Sequence, residues 1–173
     1  MTSAEHDTRT FPPTTAGERE MLEAWLDFHR DTLAMKCAGL DDSQLRTASA
    51  PPSDLSLLGL VRHMAEVERG WFRHVMAGEE RRRIFGTRED PERALHVTAT
   101  DTWEEAHTAW RGEIARAREI SAGLGLDDLG AGSHRSGETF NLRWIYTHMI
   151  EEYARHNGHA DLLRERIDGA TGD

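Results

Sequence analysis

Apolar side chains recur at intervals of three and four along most of this chain, and four such stretches predict four long helices. Met21, Leu22, Trp25, Phe28, Leu33 and Met35 mark the first, which begins after Gly17 and ends near Gly39. Leu40 to Pro52 is a connection with room for one short helical turn. The second helix carries Leu57, Leu60, Met64, Val67, Trp71 and Val75, with Ser53 or Ser56 as its cap and Gly78 as its stop. Thr100 or Asp101 is the expected cap of the third, which holds Trp103, Ala106, Trp110, Ile114, Ala117 and Ile120 and frays near Gly123. Glu104 and Glu105 in its first turn suit the positive end of the helix dipole. Asn141 caps the fourth, which runs through Leu163 and Ile167 to Gly169. Trp25, Trp71, Trp103, Trp110 and Trp144 all fall at helical spacing and are expected in the core.

No alternating strand pattern of useful length appears, so the expected fold is all-α: an up-down four-helix bundle with long connections. Residues 1–16, which include Phe11-Pro12-Pro13-Thr14, lack a periodic pattern and are expected to form a poorly ordered N-terminal arm. Residues 17–169 make the bundle and 170–173 a C-terminal tail. The charged stretch from Arg81-Arg82-Arg83 to Pro91 is expected to be a solvated connector, and Gly130 to Thr139 a glycine-containing loop.

A chain of 173 residues suits one domain able to bury its own core. The net charge of -10 and pI near 5.4 exclude a sequence-independent grip on nucleic acid, which needs a basic face. Cys37 is the single cysteine, so no internal disulfide forms, and a reducing cytoplasm is the expected location. Packing rather than nucleophilic chemistry is its expected role. No basic region precedes an apolar core at the N-terminus, and no apolar run reaches membrane-spanning length, so no membrane partner is expected.

Chemistry concentrates in EEYARHNGHADLLRE, residues 151–165. Glu152, His156 and His159 stand at i, i+4 and i+7, and at about 100° per residue the two histidines lie within roughly 40° of the direction of Glu152. His148 extends the stripe, but it is about 12 Å along the axis from His156 and cannot share an ion with the whole set. A third ligand must come from another helix. His63, between Leu60 and Met64, is the best placed; His29 and His107 are rivals, while His6, His96 and His134 fall in expected loops. Two histidines and one glutamate would leave coordination positions open for water or substrate. Zn²⁺ comes first by ligand type, with Ni, Fe or Mn also compatible. His159 is either a fourth ligand or a partner behind the ligands. From spacing alone, the same residues also fit an ordinary polar helix face, with Glu151 and Arg155 as a solvated pair.

The segments LGLVRHMAEVERGWF (58–72) and HMIEEYARHNGHADLLRERIDG (148–169) resemble the DinB-like superfamily, in particular its actinobacterial "mini-circle" branch. The resemblance spans roughly residues 17–169. It implies a four-helix bundle with a divalent metal between helices, held by a histidine of the second helix and an H-x-x-x-H or E-x-x-x-H pair of the last. Position by position these are His63, Glu152 and His156. Many relatives have histidine where this chain has Glu152, which sets it apart from the three-histidine members. It is instead similar to mycothiol-dependent maleylpyruvate isomerase. His159 matches a position often occupied by histidine near the site.

Characterised members of that superfamily include S-transferases that use bacillithiol or mycothiol. The resemblance therefore implies a metal-dependent S-transferase in which a low-molecular-weight thiol, mycothiol by preference, is activated as a metal-bound thiolate for attack on an electrophile. The alternatives are a metal-dependent hydrolase or isomerase of a specialised pathway, or a non-enzymatic small-molecule-binding or stress-linked protein. Homodimers are common among such relatives. Arg143 and Trp71 are conceivable substrate contacts, with solvent exposure the ordinary expectation for Arg143 and packing for Trp71.

Overall fold

Ser56, Thr102 and Asn141 each turn a side-chain oxygen back onto the backbone N–H three residues ahead, at 3.1, 3.3 and 2.9 Å, and so start three long helical rods. The computed structural model describes residues 9–90 and 92–172. His6 and the first eight residues of the expected arm lie outside them, as do Pro91 and Asp173 of the expected tail. The helices are α1 (Glu18–Cys37), α2 (Asp42–Arg46), α3 (Leu57–Glu68), α4 (Trp103–Ala122) and α5 (Leu142–Asp168). A π-helix, Arg69–Met76, continues α3 without a break. No strand forms among the described residues, and the fold is an all-α bundle. In it α1 packs mainly on α5, and α3 on α4. No helix among the described residues is long and apolar enough to cross a membrane.

The cap of α4 is Thr102, not Thr100 or Asp101. Asp101 is drawn elsewhere: its Oδ2 accepts from the Thr98 backbone at 2.6 Å and from Arg62 at 2.8 Å. The short α2 begins with a reciprocal capping box between Asp41 and Gln44. Gly169 ends α5 in the left-handed region at φ 76.

The core is built on α3, where Leu57, Leu60, Val61 and Met64 are fully buried against Trp110, Ile114, Ile145 and Met149. Each large side chain of this kind contributes about 1.5–3 kcal/mol of apolar burial. On α1 the buried line is Leu26, Arg30, Leu33 and Cys37. The expected stripe through Trp25, Phe28 and Met35 lies beside that line. Trp25 is 36% exposed and Trp144 43%, which corrects their expected place in the core; of the five tryptophans only Trp110 is fully buried. Trp25 and Phe28 instead make edge contacts with Phe11 at ring-centroid distances of 6.3 and 5.5 Å, so this part of the N-terminal segment runs along α1.

A polar network crosses the centre. Arg30 donates two hydrogen bonds to Glu68, each 2.8 Å, and the Tyr153 hydroxyl donates to the same carboxylate at 2.7 Å. Trp110 Nε1 donates to the Tyr153 oxygen at 2.8 Å. The network ties α1, α3, α4 and α5 together. Burial opposes the Arg30 charge, but Glu68 outweighs it and holds the guanidinium protonated. Cys37 is buried and its thiol is pushed up to about 12 by burial, in keeping with a packed side chain.

The π-helix changes the second rod. Its wider turn is closed by bonds such as Ala77 N–H to Phe72 O at 2.9 Å. The loop after α4 caps the carbonyls left at its end: Ala131 N–H donates to Met76 O and Gly132 N–H to Val75 O, both at 3.0 Å. The approach is too close for a side chain. A Cβ on Gly132 would stand 1.8 Å from His74 O, and one on Gly130 2.5 Å from Val75 O. The connector after the π-helix is anchored as well as charged, because Glu66 Oε1 accepts from the backbone N–H groups of Ile84, Phe85 and Gly86 at 2.8, 2.7 and 2.9 Å.

Candidate metal centre

His63 projects from the middle of α3 and meets α5 at His156, with ring centroids 4.7 Å apart and planes at 69°. The two rods run antiparallel here, because Trp71, eight residues further along, meets Trp144 and His148 rather than the end of α5. His63, Glu152 and His156 each offer a ligand atom, and these atoms lie within 4.8 Å of one another. His156 Nε2 is 3.4 Å from Glu152 Oε2, and the two side chains are 12% and 22% exposed. Ligands about 2.1 Å from a tetrahedral ion stand about 3.4 Å apart, so this pair already has the separation of two ligands on one ion. The donor set of two imidazoles and one carboxylate fits a divalent cation such as Zn²⁺ and leaves a position open.

Electrostatics favour the metal-binding forms of His63 and Glu152. Burial, with repulsion from His156, pushes the His63 imidazole down to about 4, against a weaker pull from Glu152 and Glu66. His63 is therefore neutral at pH 7, with a lone pair to offer. The hydrogen bond from His156 holds the Glu152 carboxyl below its usual range against the cost of burial, and His148 adds to this.

The carboxylate of Glu152 faces two ways. Oε2 is turned to His156, while Oε1 is 3.4 Å from His148 Nε2. His148 thus stays outside the His63–His156 group and falls in a separate, more open group with Glu151 and Glu152. Glu151 also pairs with Arg155 at 2.7 Å on the solvent side. His159 sits behind His156, with Nδ1 3.3 Å from His156 Nδ1.

The rival histidines go elsewhere. The backbone oxygen of His29 accepts from Asn157 Nδ2 at 3.0 Å, and His107 stacks on Trp103 at 4.7 Å. His134 lies on Trp71 at 5.2 Å, and among the described residues none of these three joins a group of potential ligands. Arg143 pairs with Glu18 and Asp127, joining α5 to α1 and to the loop before it. A cavity of about 430 Å³ between α1, α4 and α5 is lined by Arg19, Glu23, Asp27, Arg30, Arg118 and Tyr146 among others, and by none of the candidate ligands.

Sequence reasoning missed an aromatic cluster one turn from Glu152. Trp71, Phe140, Trp144, His134 and His148 contact one another with ring centroids 4.4–5.3 Å apart. The available signal was the i, i+4 spacing of Trp144, His148 and Glu152, which places aromatic and ligand side chains on one stripe.

Comparison with curated proteins finds no match. The family model for Mycothiol-S-transferase matches residues 21–169, a span that runs from the first turn of α1 through the end of α5 and includes every candidate ligand. The chain therefore belongs to the mycothiol S-transferase family, a DinB-like family.

Proposed function

We propose that this protein is a metal-dependent S-transferase that uses mycothiol, with His63, Glu152 and His156 as the metal ligands. The observation that carries the reading is the convergence of two imidazoles and one carboxylate, from two helices, on a space of ionic size. Family membership supplies the thiol.

A divalent cation held by these residues supplies a Lewis acid that lowers the pKa of a coordinated thiol toward neutrality. The protein's part is to hold the ligands in their binding forms. His63 is kept neutral by burial. Glu152 is kept ionised, so the donor set brings a single negative charge. For Nε2 of His156 to bind metal, the proton it shares with Glu152 in the metal-free protein must move to Nδ1, where the Nδ1 lone pair of His159 is the acceptor at 3.3 Å. The place beside the Glu152 carboxylate is thereby left for the cation. In the transfer, the thiol sulfur forms a bond to an electrophilic carbon, a leaving group departs with its electron pair, and the thiol proton passes to solvent. The rods hold the two reactants together in place of a bimolecular collision. Cys37, buried with its thiol pushed up to about 12, is not the nucleophile.

Zn²⁺-loaded protein incubated with mycothiol and monobromobimane tests the reading. It predicts an adduct of thiol plus bimane less HBr, formed at least a hundredfold faster than with His156→Ala. Adduct formation no faster than in that variant, across several electrophiles, would overturn it. A product isomerised or enlarged by water, with no thiol required, would assign the isomerase or hydrolase alternative.

A further inference from the structure

Trp144 is 43% exposed although it sits on the same stripe of α5 as His148 and Glu152. One face of its ring stacks on His148, with centroids 4.9 Å apart and planes at 22°. Phe140, buried beneath, supports it at 4.4 Å, and Trp71 from the π-helix stands 5.1 Å away. The glycine loop adds His134, stacked on Trp71 at 17°. Three separate elements thus build one platform. It begins one helical turn, about 6 Å along the axis, from Glu152.

The histidine side chains of this cluster are tied to neighbouring groups of the protein. His148 Nδ1 and Nε2 face Glu151 and Glu152 at 3.5 and 3.4 Å, and Ser136 occupies His134 Nδ1 at 2.8 Å. What the platform offers is chiefly ring face and ring edge, together with the indole N–H donors of Trp71 and Trp144, which suit a flat, electron-poor ring. A partly exposed group of aromatics beside a candidate metal centre is also the kind of surface that marks a ligand site.

We propose that Trp144, Trp71 and His148 form the acceptor subsite, which takes a planar aromatic electrophile and presents it to the thiol held at His63, Glu152 and His156. The proposal rests on the S-transfer reading for its chemistry, although the binding it claims can be measured alone. With 1-chloro-2,4-dinitrobenzene, the thiol sulfur would bond to the ring carbon that bears chlorine, chloride would leave with the bonding pair, and the thiol proton would pass to solvent.

Equilibrium dialysis with 2,4-dinitrotoluene, which has no leaving group, tests the subsite without any reaction. Saturable binding to the Zn²⁺-loaded protein is expected, weakened about tenfold by Trp144→Ala and restored by Trp144→Phe, with metal content equal in all three. Mycothiol should not displace the ligand. In turnover, Trp144→Ala should lower the preference for 1-chloro-2,4-dinitrobenzene over chloroacetamide by a similar factor. Failure of the native protein to bind dinitrotoluene, equal binding by Trp144→Ala, or displacement by mycothiol would each overturn the proposal. Binding that follows Trp144 in a protein with no transferase activity would uphold the aromatic subsite and sink the S-transfer reading instead.

Discussion

His159 presents Nδ1 to Nδ1 of His156 at 3.3 Å, one turn further along α5. Only one of the two nitrogens can carry the proton. With it on His156 Nδ1, the Nε2 lone pair is turned toward Glu152 and His63. Removing His159 leaves that choice unmade. Partners of this kind typically contribute 10–100-fold in metal affinity, so His159→Ala is expected to weaken Zn²⁺ binding by about that factor while keeping a stoichiometry of one. Competition against a chromophoric chelator reads this directly. An unchanged affinity would remove His159 from the centre.

His63 links the centre to stability. Its folded-state pKa is pushed down to about 4 by burial, from an ordinary value of 6.5. Between those values the unfolded chain binds a proton that the folded chain refuses, so stability is complete above pH 6.5 and is lost as pH falls toward 4. The loss attributable to His63 alone is about 3 kcal/mol at most. Burial also lowers His29 and His107, and these add in the same direction. Urea unfolding in the presence of chelator at pH 7 and pH 4.5 should show native protein losing roughly 2 kcal/mol more than His63→Gln. Parallel losses in the two proteins would contradict the buried, neutral histidine.

The Arg30–Glu68 pair gives a prediction about the core. Both residues are buried, and Tyr153 shares the carboxylate. Breaking one side leaves an uncompensated charge, at a cost of about 3–5 kcal/mol for Glu68→Ala or Arg30→Ala. Removing both together, as Arg30→Met with Glu68→Leu, should recover much of that loss. Tyr153→Phe should cost about 1–2 kcal/mol through its lost hydrogen bond. Denaturant midpoints of the four variants test the ordering, and a double variant as unstable as the sum of the single ones would contradict it.

Gly132 tests the junction between the glycine loop and the π-helix. A Cβ there would meet His74 O at 1.8 Å, so Gly132→Ala must push the loop away. The amides of Ala131 and Gly132 would then lose Met76 O and Val75 O as acceptors. Faster hydrogen exchange at residues 131 and 132, with a stability loss of roughly 2 kcal/mol, is the expected result. Exchange as slow as in native protein would show that the loop tolerates the side chain.

These residues show where local pattern was enough and where it was not. Ser56 and Asn141 were legible as caps because their bonds close within four residues. Thr102 was missed because Asp101, the better cap by type, is held by Arg62 from a distant helix. The π-helix has no signature within Arg69–Met76 itself; its spare carbonyls are met by a loop more than fifty residues away. Trp25 and Trp144 follow the helical period, yet burial depends on which neighbour covers them, and period alone does not show that. Arg30 and Glu68 did leave a trace, one charge on each inward line of α1 and α3, but their pairing required knowing that the two helices touch. The candidate centre divides in the same way. Glu152 and His156 lie four residues apart on one helix and could be read directly, whereas the meeting with His63 depends on how α3 packs on α5.

Zn²⁺ titration of metal-free protein, with bound metal counted per chain, is the most direct test of the account. One equivalent should bind, with affinity lost by at least a hundredfold in His63→Ala, Glu152→Ala and His156→Ala, and one site retained in His148→Ala. Less than a tenth of an equivalent bound by native protein, or tight binding that survives loss of His63 and His156 together, would contradict it.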